Sequence, residues 1–586
     1  MRRLPITLWL YLLADLWKLV LLTTGVLVTV IAFAAAVKPL ADGKLGPEDT
    51  LKFMMYAIVP MLQYALPFAA CFGATLAYHR LTTDNEMTAA HAGGISHRAM
   101  LVPALISGLV LAGILLTLSN SIIPRFLKQM SVLVAQDAAK LVANTIERGE
   151  ALQMDNTLIY ADRVVRLGPD EASGAYERLS LLGVLVVRTG EKGEIETWAS
   201  PRKATVWLRR TTLSRPGLSS EKPMTEVVVR TSEMVSGGQG FRASGGDIIK
   251  PFLIPNAFGD NVKFLSFSEL RDLRREPERM DRIDKDKRTL AMAVAGRDTI
   301  DAIDESLKAT GEAKFLDPFG MRVTLRGGGL RTTYKDLGNG KRERDPGVLQ
   351  VLPPTNGKPL GVETMRPETP DKAPIKAVPD QGAFLRIPTQ PDPDHGPAMI
   401  TIQLMKVASA PIGPDGEVES PDDGPAAIGE VTERNYQDLK FVRGADDEMA
   451  RMMTLGAADV EKMAIHRMNR KLADEPVVRP VLTQMQYDVR MLLNEILSKE
   501  QERYAMSVAC LVMVLIGSVM AMRLREALPL TVYLWAFFPA LATVLAISGG
   551  QQLTHGKGII GLPVLWAGVA GLGTLAVAEF VRLCKH

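Results

Sequence analysis

Six long stretches of this chain carry no charged side chain, and all six lie towards its two ends. They are residues 19–37, 53–78 and 99–124 in the first part, and 504–522, 527–554 and 558–578 in the last. A helix crossing the hydrocarbon layer needs roughly 20 apolar residues. Lipid offers backbone polar groups no partner, so each run is predicted to be a helix. The first run is too long for the apolar part of a secretory signal, and two more follow it closely. Helices apolar on every side are rare in water-soluble folds, which favours membrane spans over buried core helices.

The short loops set an orientation. Arg2, Arg3 and Lys18 precede the first run, Arg80 and Arg98 lie between the second and third, Arg523 and Arg525 between the fourth and fifth, and Arg582 and Lys585 at the end. The opposite loop 38–52 offsets Lys38, Lys44 and Lys52 with Asp42, Glu48 and Asp49. This asymmetry predicts six spans in a cytoplasmic membrane with both termini in the cytoplasm. Residues 1–124 then hold spans one to three and residues 504–586 hold spans four to six. The segment 125–503 is expected on the outer, periplasmic face.

That outer segment changes period. Residues 125–150 read as a helix leaving the membrane. Short β-branched runs follow at 157–167, 179–188, 194–199, 204–209 and 226–233, separated by turns such as Gly168-Pro169 and the Gly190 to Gly193 stretch. Short strands at this spacing suggest a sandwich or jelly roll. Residues 268–311 are dense in Arg, Asp, Glu and Lys and read as a solvated helical insertion. Strand-like text resumes at 321–331, 347–352 and 398–406, with Pro/Gly/Asp-rich stretches at 353–395 and 410–425 read as loops. From 446 the pattern is helical again, and 481–502 is expected to run continuously into span four. The fold class is an integral membrane α-helical protein of six transmembrane helices with a large β-rich, jelly-roll-like periplasmic domain. Charged helical and loop insertions occupy about 268–445 of that domain.

Composition then narrows the function. Charged residues are 23% and apolar residues 47%, which excludes a disordered chain, a collagen and a coiled-coil rod. A net charge of +3 gives no support to nucleic-acid binding. The three cysteines are Cys71 and Cys510 inside spans and Cys584 in the tail, so the outer segment is expected to fold without disulfides. The phosphate cradle of a P-loop ATPase, the H-E-x-x-H and C-x-x-C metal motifs and the G-x-S-x-G elbow do not occur. No catalytic residue, metal or cofactor is expected. The spans also lack mid-membrane charges, which argues against an ion-coupled transporter. Two readings remain: a transporter driven by a partner ATPase, and a membrane-anchored scaffold for envelope assembly. Lys18 and Glu579 lie at span ends, where they can snorkel to the interface. Trp9, Trp17, Trp535 and Trp566 read as interface or packing residues.

Between the second and third runs, residues 80–96 read RLTTDNEMTAAHAGGIS. Thr82, Thr83 or Asp84 can cap a short helix at about 82–92, carrying Glu86, Met87 and Ala90 and ending at Gly93-Gly94. A plain helical connection between two spans is the simpler reading. This stretch resembles the lipopolysaccharide-export permease family, LptF/LptG. Arg80, Leu81, Asp84, Glu86, Ala89, Ala92, Gly94, Ile95 and Ser96 fit its pattern, and Asn85, His91 and Gly93 depart from it. Residues 502–511, the basic loop from Arg523 to Arg525, and Gly549, Gly550, Gly558 and Pro563 resemble the family too. The resemblance implies two such permeases side by side above two copies of a cytoplasmic ABC ATPase. Lipopolysaccharide, or a related glycolipid, would enter between them and pass to a periplasmic jelly-roll bridge. Glu86 would meet a basic residue of the ATPase, with Asp84, Met87, Ala90 and Gly94 seating the coupling helix. Lys38, Arg125 and Lys128 lie at outer span ends. They suit phosphate head groups, or equally snorkel to the surrounding lipid.

Overall fold

The computed structural model describes residues 5–585 except 42–46, 137–150, 155–156, 171–172, 190–194, 214–221, 239–240, 246–247, 255–260, 318–319, 337–341, 355–356, 358, 366–374, 380, 388–399, 411–430, 443–451 and 472–476. The helix end expected at 137–150, the turn at 190–193 and the loop at 411–425 lie outside the described residues. By compactness the chain forms two units. One comprises residues 1–215, 219–275 and 491–586; the other comprises 216–218 and 276–490.

Among the described residues, five helical stretches are long and apolar enough to cross a membrane: Ile6–Val37, Leu51–Thr83, His97–Gln129, Val478–Arg523 and Pro529–Lys585. Helix α1 (Ile6–Ala41) buries Leu12, Leu16, Val20, Thr24, Val28, Ala32 and Ala36, one residue in every four, and leaves Leu21, Leu22, Val26, Val30 and Phe33 exposed. An i, i+4 ridge of this kind packs along a neighbouring helix, here α2 (Pro47–Thr83). After the short α3 (Glu86–Ala92), α4 (His97–Thr117) passes through a π-helical turn at Leu118–Ile122 into α5 (Ile123–Gln136). The exposed apolar side chains need a lipid solvent, while Tyr78, Met100, Leu111 and Leu115 share a core with Met513, Ile516, Val532 and Leu565.

The last stretch is a helical hairpin. A 3-10 turn at Gly558–Gly561 joins two helices, Pro529–Lys557 and Leu562–Lys585. The Thr543 hydroxyl donates to the Gly568 carbonyl at 3.2 Å. Gly550 lies against the Leu565 backbone so closely that no Cβ fits there. Small residues of this kind let membrane helices approach.

Residues 152–254 of the first unit form an antiparallel sheet, with β1 (Leu152–Met154), β2 (Thr157–Arg166), β3 (Ala175–Thr189), β4 (Ile195–Leu213) and β5 (Lys222–Gly238) in consecutive order. Beyond β5 lie β6 (Phe241–Gly245) and β7 (Ile248–Ile254). This is a meander, the order that short turns between successive strands produce. The two strands expected at 194–199 and 204–209 are one strand, β4. Its Pro201 lacks a ladder donor, and it is tolerated because β3–β4 pairing stops between Leu182↔Lys203 and Val186↔Ala199. At that level Asp162, Gly183, Arg202 and Glu233 form one row across four strands, with left-handed backbone at Gly183 (φ 61°) and Glu233 (φ 51°). The buried parity switches at this row. Ile159 and Ala161 precede Val164 in β2, and Leu179 and Leu181 precede Val184 and Val186 in β3, yet all pack in one cluster. A kink that reverses the alternation keeps one apolar face inside on both sides of a crease.

The second unit has its own cores. Nine described strands follow: β8 (Glu312–Leu316), β9 (Arg322–Arg326), β10 (Gly329–Asp336), β11 (Arg342–Leu352), β12 (Gly361–Met365), β13 (Ile375–Pro379), β14 (Ala383–Arg386), β15 (Ile400–Ala410) and β16 (Val431–Phe441). The pairings β8–β9–β12–β13–β15–β16 return to β8, so six of these strands close into a barrel. The stretch 353–395, read from its Pro and Gly content as loop, contributes β12, β13 and β14. Their buried Val362, Thr364, Ala377, Ala383 and Leu385 alternate inward over only four or five residues each, too few to stand out among the turn residues. The strand expected at 321–331 divides at Gly327-Gly328, where the Gly328 N–H donates to the Leu352 carbonyl. The charged insertion is helical as expected, with α6 (Phe267–Arg275) in the first unit and α7 (Asp281–Thr310) in the second. A second core joins Leu290, Val294, Val460, Leu482 and Met485. These come from α7, α8 (Ala457–Lys471) and the start of α9 (Val478–Arg523). The last is a continuous helix of 46 residues that includes the run 504–522. The hairpin helices above are α10 and α11.

Candidate functional site

The turn between α2 and α4 is built by local hydrogen bonds. Thr82 and Thr83 both donate their hydroxyls back to the His79 carbonyl, at 2.6 and 2.9 Å, and so end α2. They do not cap α3, and neither does Asp84. The residue before α3 is Asn85, in left-handed backbone (φ 59°) with no side-chain cap bond. Asn tolerates that conformation better than most residues. At the other end the Ile95 N–H donates to the Ala90 carbonyl and the Gly94 N–H to the His91 carbonyl, with Gly94 at φ 82°. This is a glycine-closed helix end. The His91 ring engages the Ile95 carbonyl through Nδ1 at 2.8 Å and lies 4.2 Å, centre to centre, from the His97 ring.

One side of α3 is anchored and the other faces outward. Met87 is buried in the bundle core, with Ala90 and Ile95 packed beside it. Glu86 is half-buried, and Asp84 and Gly94 are exposed. Asp84 lies 3.7 Å from Arg80, which also approaches Asp15 of α1 at 3.9 Å. The neighbouring spans are pinned at the same level: the Tyr78 hydroxyl donates to the Met100 carbonyl at 2.8 Å, and the Trp9 indole to the Ala99 carbonyl at 2.9 Å. The result is a short helix seated by Met87, with the half-buried Glu86 in its first turn and the exposed Asp84 in the turn before it.

The outer-rim residues are not brought together in the same way. Lys38 lies in α1, and its side chain is outside the described residues. Arg125 is exposed on α5. Lys128 is bound to Glu269 of α6 at 2.7 Å. Partial burial raises the Glu269 carboxyl, but the Lys128 ammonium and bonds from the Ser266 N–H and hydroxyl outweigh it and hold it below the usual carboxylate range.

Two further features were not anticipated. Glu579 does not snorkel. It is 5% exposed and accepts from Arg523, at the end of α9, and from Arg582 at 2.9 Å. Its place about two turns from the last residue looked peripheral, and only the fold brings Arg523 to it. The other is Arg503, 5% exposed, whose guanidinium donates to the Leu265 carbonyl at 2.7 Å. A sequence signal pointed to its partner segment: Ser266 and Glu269 form a capping box, Ser-x-x-Glu. Among the described residues no group of three or more His, Cys, Asp or Glu could hold a metal ion.

Residues 10–204 match the family model described as lipopolysaccharide export system permease LptF/LptG. Over these residues the chain is similar to that permease family. The match takes in α1 to α5, the α3 turn and the sheet as far as the crease in β4. The family is one of transport permeases, and the apolar helices are those of a multi-pass membrane protein. No curated protein matches the chain.

Proposed function

We propose that the chain is the permease subunit of an ATP-driven exporter that lifts lipopolysaccharide, or a related glycolipid, out of the inner membrane. It performs no covalent chemistry. ATP is hydrolysed on a separate cytoplasmic ABC dimer, and a second permease of the same family completes the pair. The observation that carries this reading is α3. It lies within the matched residues and is seated by Met87 in the helix bundle, with the half-buried Glu86 in its first turn and the exposed Asp84 just before it.

In this reading α1, α2, α4 with α5, α9, α10 and α11 are six spans, with both termini and α3 cytoplasmic. The creased sheet β1–β7 is the jelly-roll-like element that passes lipid to periplasmic bridge proteins. Asp84, Glu86, Met87, Ala90 and Gly94 form the ATPase contact. Lys38, Arg125 and Lys128 form the head-group rim, in which Lys128 serves only by sharing or leaving Glu269.

Co-purification tests it. The wild-type chain should bring down a soluble ATP-hydrolysing subunit, and Glu86→Arg or deletion of 82–94 should abolish that. An exposed ion pair contributes only about 0–1 kcal/mol, so Glu86→Gln should weaken the complex far less than the charge reversal. If no ATPase accompanies the wild-type chain, the permease reading fails and the envelope scaffold takes its place.

A further inference from the structure

The segment 262–275 binds two spans whose residues lie far apart in the chain. On one side the Phe267 N–H donates to the Asn120 side-chain oxygen at 2.7 Å, and Glu269 pairs with Lys128 at 2.7 Å. Asn120 sits in the π-helical turn Leu118–Ile122, and π-helical turns often mark functional positions in helices. On the other side Arg274 pairs with Glu500 at 2.7 Å, and the Arg503 guanidinium donates to the Leu265 carbonyl. The guanidinium carbon of Arg503 lies 5.4 Å from the Phe267 ring centre, and that ring stacks on Tyr504 at 5.2 Å and 23°. Val262, Phe264, Leu270 and Leu273 are buried beneath. The segment is therefore a strap between the π-helical turn and α5 on one side and the middle of α9 on the other, and Arg503 holds both its backbone and its aromatic anchor.

Arg suits this place and Lys does not. A planar guanidinium donates in its own plane while its face packs on a ring, whereas an ammonium is a point charge without a stacking face. The far end of α9 is Arg523, which meets Glu579. One rigid helix thus connects the cytoplasmic turns to the strap.

We propose that Arg503 is a positioning residue. Through the strap it holds the outer ends of the third and fourth spans at one separation, so that movement imposed at the cytoplasmic face reaches the lipid-handling end as a unit. The lipid part of this statement rests on the permease reading above; the positioning part does not.

The test uses the full chain with its ATPase in lipid nanodiscs. Spin labels at Gln129→Cys and Leu493→Cys, both exposed, are introduced in a Cys584→Ser background. The wild-type strap should give one narrow distance distribution. Arg503→Met and Phe267→Ala should broaden it, and Arg503→Lys should not restore it. Arg274→Glu should broaden it too, and adding Glu500→Arg should narrow it again, which separates a lost strap from a misfolded chain. In the broadened variants lipid released per ATP should fall several-fold, while half-saturation by lipid stays unchanged. An unchanged distribution in Arg503→Met, or no recovery in the Arg274/Glu500 swap, overturns the proposal. A wild-type chain that keeps the narrow distribution but never releases lipid counts against the permease reading and leaves the strap standing.

Discussion

The Glu579 carboxylate shows how much a single buried charge can organise. It is buried one turn beyond Ala576, and Arg523 and Arg582 are its charged partners there. Glu579→Gln should lower stability by about 2 kcal/mol, less than a fully buried pair would lose because both arginines reach solvent. The thermal midpoint of the chain in detergent reads this, and an unchanged midpoint would mean the arginines are held elsewhere. A second carboxyl, Asp286 of α7, faces another carboxylate instead. Burial and the facing Asp488 of α9 push it up to about 6, against the smaller pull of Arg282 and Lys285. A carboxyl whose folded value lies above its unfolded one contributes stability at low pH and loses it as pH rises through the folded value. The α7–α9 contact should therefore tighten as pH falls from 7 to 5, seen as slower amide exchange in α7. Asp286→Asn should give the tight state at both pH values. Equal pH dependence in the variant would show that another group is responsible.

At the scale of elements, the crease in the first sheet is the feature most open to attack. Gly183 has left-handed backbone, and a Cβ there would fall on the Asp162 carboxylate. Gly183→Val should cost about 1–3 kcal/mol from backbone strain alone, with the clash in addition. Proteolysis should then appear within β2 and β3 while the spans stay intact; unaltered protection would mean that the crease does not depend on this glycine. Strand positions were largely legible in the sequence here, because β-branched alternation survives in β2, β3 and β5. The crease was not. It depends on pairing between four strands, and a reversal of parity in one strand reads as an irregularity until its neighbours are in register. The short strands β12 to β14 were hidden for a related reason. Each buries one or two side chains, and the barrel rather than local propensity makes them strands. At the coupling turn the helix and its glycine end were legible, but its beginning at Asn85 was not, since the threonines expected to cap it instead close the helix before.

On the scale of the whole molecule, the residues 276–490 carry cores of their own. The family match ends in β4, and the unit 276–490 has a closed barrel and a helical core made from its own residues. A body of this size can fold alone. Residues 276–490 expressed without the spans should be soluble, β-rich by circular dichroism, and unfold in a single cooperative step; a gradual, non-cooperative transition would show that the unit needs the rest of the chain.

The sequence by itself determined the long apolar helices, because runs of roughly 20 charge-free residues lack the alternation of a barrel strand and satisfy their backbone groups in lipid as helices. It also determined that the outer segment mixes strands with one charged helical stretch, and it placed Glu86 on a short helix between two spans. Tertiary structure decided which charges are free and which are spent. Lys128, Arg503 and Glu579 look alike in the sequence, as ionic residues near span ends. Each is held by a partner from a distant segment, Glu269, Leu265 and Arg523 respectively. The strength of a polar contact depends on separation in space, and the separation of such partners is set by the whole fold rather than by their neighbours along the chain.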